Sequence, residues 1–72
     1  MTELDKAIKL LRNLLRSVGE YRNEKISVES EIINGDQYIV VYVNENKYAT
    51  NVECEGFRSM IKSVVNKVIL KI

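Results

Sequence analysis

Glu31 and Glu53 are the carboxylate pair whose placement could do chemistry, because two acids flanking a glycosidic bond can hydrolyse it. Two strand spacings would put their backbones about 10 Å apart, on an open face with no cleft to exclude water. Cys54 is the single cysteine, and the chain has no histidine. A thiol with no base to activate it is a poor nucleophile, and the strand phase turns Cys54 inward as a small core residue. The absence of histidine also removes the commonest zinc-ligand sets and the usual general base. The three glycines stand apart, at 19, 35 and 56, and build no phosphate-cradling loop. These residues predict a non-enzyme with no cofactor and no metal site.

Three stretches of different hydrophobic period position the side chains. Over residues 3 to 18, Leu4, Ala7, Ile8, Leu11, Leu14, Leu15 and Val18 recur at helical spacing. Thr2 and Asp5 form a capping box, and Gly19 marks the helix end. Over residues 25 to 54 the period is two. Asn34-Gly35 between β-rich runs is the strongest short hairpin signal, since a type I′ turn needs positive φ at both central residues. That turn sets Ile33 against Asp36, Val28 against Val41 and Ile26 against Val43. Ile26, Val28, Ser30, Ile32, Ile39, Val41 and Val43 then share the core face. A second turn centred on Glu45-Asn46 adds a third strand, 47 to 54, with Tyr48, Thr50, Val52 and Cys54 inward. Residues 57 to 71 read as a second helix with its stripe on Phe57, Met60, Ile61, Val64, Val65, Val68 and Ile72. Its β-branched content leaves Val68-Ile69-Leu70 open as an extra strand.

The expected fold is a single α+β domain over residues 1 to 72. It has two layers in the order α-β-β-β-α, with both helices on one face of a three-stranded antiparallel sheet. The uncovered face then presents Tyr38, Val40 and Tyr42 in a central strip flanked by Glu29, Glu31 and Glu53. Charge divides along the same boundary. From Glu24 to Glu55 there are seven acids against two lysines, a balance of −5; the rest holds nine bases against three acids, a balance of +6. The net charge of +1 thus conceals an acidic sheet layer and a basic helical layer. On the first helix Lys9, Arg12 and Arg16 point away from the core, with Lys6 at the margin. Asp5 stands four residues before Lys9, where a local ion pair forms.

The element order resembles the double-stranded RNA-binding domain, across the whole chain in topology. The resemblance implies RNA contacts from the first helix, the loop between strands one and two, and the start of the last helix. The matching positions here are the basic first helix and Arg58 and Lys62. The chain departs from that family in its tight Asn34-Gly35 turn, too short to reach a second groove. It also has Phe57-Arg58-Ser59-Met60 where the family carries a lysine cluster.

At 72 residues, 46% hydrophobic and 29% charged, the chain suits one small folded unit rather than a disordered segment. One cysteine excludes an internal disulfide, so stability falls to core packing, to self-association, or to both. A homodimer is the favoured assembly. No run approaches the roughly 18 apolar residues of a membrane span, and the N-terminus lacks a signal-peptide pattern. A cytoplasmic protein with no membrane contact is expected. The expected function is a non-catalytic binding protein, an inhibitor or adaptor, using Tyr38, Val40, Tyr42, Glu29, Glu31 and Glu53 against a protein partner of basic character. The alternative is nucleic-acid binding through Lys9, Arg12, Arg16, Arg58 and Lys62, where three or four phosphate contacts would give salt-sensitive affinity.

Overall fold

The structure is a computed structural model, and it describes residues 2 to 69. The elements are α1 (Glu3–Arg22), β1 (Ile26–Ile33), β2 (Asp36–Val43), β3 (Asn46–Asn51) and α2 (Phe57–Ile69). The sheet is antiparallel in the order β1-β2-β3. Side chains of both helices meet one face in a single core: Ala7, Ile8, Leu11 and Leu15 from α1, and Met60, Val64 and Val68 from α2. Val28, Ile39, Val41, Val43 and Val52 line the facing side. The two-layer α+β arrangement expected from the sequence is the one observed.

α1 begins at the capping box. The Asp5 amide donates to Thr2 Oγ1 at 3.1 Å, and the Thr2 amide donates to Asp5 Oδ2 at 3.4 Å. With its carboxylate engaged there, Asp5 makes no ion pair with Lys9. The helix does not stop at Gly19. It continues one turn to Arg22, and Asn23 takes the left-handed conformation at φ 57°. The Asn23 amide then donates to Glu20 O and the Glu24 amide to Gly19 O, the paired bonds of a Schellman cap. Gly19 serves close packing instead. A Cβ there would stand 2.7 Å from Glu24 O and 3.3 Å from the Ile26 side chain. Leu14, expected in the core stripe, is 44% exposed, because a stripe that wide exceeds the single face that the sheet covers.

The first hairpin has the predicted register, from Ile33 opposite Asp36 to Ile26 opposite Val43. Asn34 and Gly35 both have positive φ, 53° and 86°, as a type I′ turn requires. Its tip projects past the helices, so Ile32 is 70% exposed rather than core. The second turn differs from the expectation. Its central residues are Asn44 and Glu45, and Val43 opposes Asn46. Asn44 takes the positive φ, 56°; a turn at Glu45-Asn46 of the type I′ kind would have forced that conformation on a glutamate. Asn44 is held in place, since its amide donates to Lys25 O and its Oδ1 accepts from the Lys25 amide.

Moving a turn by one residue slides the register by two. The inward set Tyr48, Thr50 and Val52 is therefore preserved, but every outward row changes partner. β3 also ends at Asn51, so Cys54 leaves the sheet. It is exposed, in a turn, at φ 62°, not a core residue. The bond from the Val52 amide to Gln37 O continues the ladder, and Glu53 Oε2 accepts the Gln37 amide at 2.6 Å.

α2 is helical through Val68 and Ile69, so an extra strand does not form there. Leu70, Lys71 and Ile72 lie outside the described residues. Both free edges of the sheet receive a base from the neighbouring helix: Arg12 Nε donates to Val28 O at 2.9 Å, and Lys67 Nζ donates to Ala49 O.

Candidate functional site

Glu31 and Glu53 do not come together as a pair. Glu53 turns back onto the Gln37 amide, and Asn51, not Glu53, stands beside Tyr38. The two carboxylates that might have been paired thus do not share a row. No cluster of three or more potential metal ligands occurs among the described residues.

The open sheet face consists of three cross-strand rows. Glu31, Tyr38 and Asn51 form one row; Glu29, Val40 and Ala49 the next; Ser27, Tyr42 and Lys47 the third. Among the described residues the helices pack on the opposite face, and neither tyrosine belongs to the core shared with them. Tyr38 and Tyr42 are half-buried, while Val40 between them has no exposed surface. A diagonal ion pair spans that row. Lys47 Nζ lies 3.7 Å from Glu31 Oε2, joining β3 to β1 across the middle row. Val40 is therefore a support beneath the face and not a contact residue. Glu29 remains exposed, and Asp36 and Asn51 are hydrogen-bonded at the margin. The face is less acidic than the sequence suggested, since Glu53 has left it and Lys47 has joined it.

The basic helical residues divide into two groups. Arg12 and Arg16 flank the outer edge of β1, beside Ser27 and Glu29, and Arg12 is committed through Nε to Val28 O. Lys9, Arg58 and Lys62 lie on the other side, along the seam between α1 and α2, together with Lys6. The five predicted nucleic-acid contacts are thus not one stripe. None of Lys6, Lys9, Arg16, Arg58 and Lys62 makes an ion pair among the described residues.

The seam itself was not anticipated as a surface. Leu10 lines it from α1, and Phe57, Ile61 and Val65 from α2. Leu10 is 43% exposed, and the α2 residues are half-buried. The signal was present in the spacing, because Leu10 and Leu14 are four apart and fall to one side of the core stripe. No helix of the described residues is long and apolar enough to cross a membrane. Comparison of the chain with protein-family models, with curated proteins and with solved structures finds no match.

Proposed function

We propose that this chain is a non-catalytic binding protein that works through protein–protein contacts, with Tyr38 and Tyr42 on the open sheet face as the anchors. The observation that carries this reading is a sheet face left uncovered by the helices, with two tyrosine rings seated on either side of a fully buried Val40. Tyrosine offers a large, stiff, half-polar contact area at small entropic cost. Both rings are already half-buried in the free chain, and a side chain held in part before association leaves less to immobilise on binding. Glu29 and Glu31 bias the face towards a partner with basic groups at its rim. The exposed thiol of Cys54 suits a reducing compartment such as the cytoplasm.

The test is recovery of partners from the native host with the wild-type chain, with and without nuclease. The expected result is nuclease-resistant recovery that Tyr38→Ala with Tyr42→Ala abolishes and Arg12→Glu with Arg16→Glu does not. A folded double-tyrosine variant that retained the partner at full affinity would refute it. A homodimer using the same face is checked by sedimentation: a wild-type dimer should become a monomer on the tyrosine substitutions. The unpaired Lys6, Lys9, Arg16, Arg58 and Lys62 support nucleic-acid binding as the second reading. A mobility-shift titration at low salt decides it, since phosphate contacts weaken steeply as salt rises.

A further inference from the structure

The seam between α1 and α2 is a second surface, on the side of the molecule opposite the tyrosines. Its floor is apolar and partly open: Leu10, Phe57, Ile61 and Val65. Leu14 continues the same side of α1 one turn further and is 44% exposed. In a domain this small, large aliphatic side chains left open side by side mark a contact surface more often than scattered ones do. The rim is basic. Lys6 and Lys9 stand along α1 and Arg58 and Lys62 along α2. These four bases have no carboxylate within ion-pair distance among the described residues. Among the described residues Glu3 is the single acid lining the seam. It lies at the end near the start of α2, where its carboxylate comes 3.8 Å from the position of a Cβ on Gly56.

We propose that this groove binds an acidic amphipathic helix of a partner protein. The helix would lay an apolar stripe against Leu10, Phe57, Ile61 and Val65 and set its flanking carboxylates on the four bases. Two packed helices leave a furrow along their length, and a third helix fits such a furrow with anchors at three- and four-residue spacing. Charge decides the chemistry of that helix. Two copies of this chain joined groove to groove would oppose base to base, which disfavours self-pairing here. An acidic helix would instead find unpaired bases on both sides of the apolar floor.

The probe is an 18-residue peptide with leucines at helical three-and-four spacing and glutamates on both flanks. It is titrated into 15N-labelled protein beside a lysine-flanked counterpart and a scrambled acidic control. The expected result is saturable shifts confined to amides of residues 6–14 and 57–66, from the glutamate-flanked peptide alone. Lys9→Glu with Lys62→Glu should weaken it about tenfold, as two interfacial ion pairs would. Leu10→Gln should weaken it at least as much while leaving the folded spectrum intact. Tyr38→Ala with Tyr42→Ala should bind it as wild type does, so this reading and the sheet-face reading fail separately. Absence of saturation, or equal binding of the scrambled control, overturns the proposal. So do groove shifts that depend on protein concentration alone, which would place a second copy there. Co-sedimentation with phosphatidylglycerol vesicles that Leu10→Gln abolishes would assign the groove to a lipid surface and overturn it likewise.

Discussion

Replacing Gly19 with alanine should destabilise the protein, against the usual rule for helices. Alanine in a helix interior ordinarily gains about 1 kcal/mol over glycine. At Gly19 the new Cβ would stand 2.7 Å from the backbone oxygen of Glu24, closer than such atoms approach. The segment Asn23–Glu24 would have to move outward, and it is held by the 2.8 Å bond from the Glu24 amide to Gly19 O. Losing that bond costs about 1 kcal/mol. The Ile26 side chain, 3.3 Å away, would also be pushed, and overpacking of this kind costs about 1–3 kcal/mol. The two penalties exceed the propensity gain, leaving a net loss of about 2 kcal/mol. Total stability of a domain this size is on the order of 4–10 kcal/mol, so the variant should fold and be measurable. Urea unfolding followed by circular dichroism should show the midpoint lowered by about 1–2 M at unchanged slope. Asn13→Ala, at an exposed position of α1, should instead gain a few tenths, about 0.5 kcal/mol at most. A Gly19→Ala protein as stable as wild type would refute the close approach and return Gly19 to the role of a simple terminator.

Thr50 is 7% exposed, and its hydroxyl finds no partner among the described residues; Thr50→Val keeps the shape and should raise stability by about 1 kcal/mol in thermal unfolding. Cys54→Gly removes a side chain from left-handed backbone and should also stabilise, by about 1 kcal/mol, read in the same assay. In the native wild-type protein Cys54 should react with one equivalent of a disulfide reagent without unfolding; burial of the thiol would show as a lag set by the unfolding rate. Glu53→Ala should cost about 1 kcal/mol, because the Gln37 amide loses its acceptor beyond the end of β3, and hydrogen exchange at Gln37 should accelerate.

The register of the first hairpin was readable from the chain because Asn34-Gly35 and the alternating hydrophobic pattern specify the same pairing independently. The second hairpin supplied only alternation, which cannot distinguish a register from one displaced by two residues. Asn44 and Asn46 both tolerate left-handed backbone, and the choice between them falls to contacts of Asn44 with Lys25, a residue 19 positions earlier. That distant bond decides whether Glu53 joins Tyr38 on the face, so the acid-ringed strip inherited the uncertainty of a single turn. Gly19 shows a related ambiguity, since glycine suits both a helix end and a close backbone crossing. The tyrosines themselves were placed correctly, because they lie on β2, whose phase the first turn fixes. The seam is not legible in the sequence because a leucine repeat on a helix looks the same whether the next layer covers it or stops short.

Arg12 on Val28 O and Lys67 on Ala49 O bear on how this sheet guards its edges. A three-stranded sheet has two open borders, each a template on which a stray extended chain could crystallise. Here each border has a cation lodged midway along it, tethered to a helix that cannot leave without dismantling the core. An incoming strand would have to evict a charged group before pairing past that point. Fibril seeding should therefore require the helices to detach first, which ties resistance to aggregation to the global unfolding barrier.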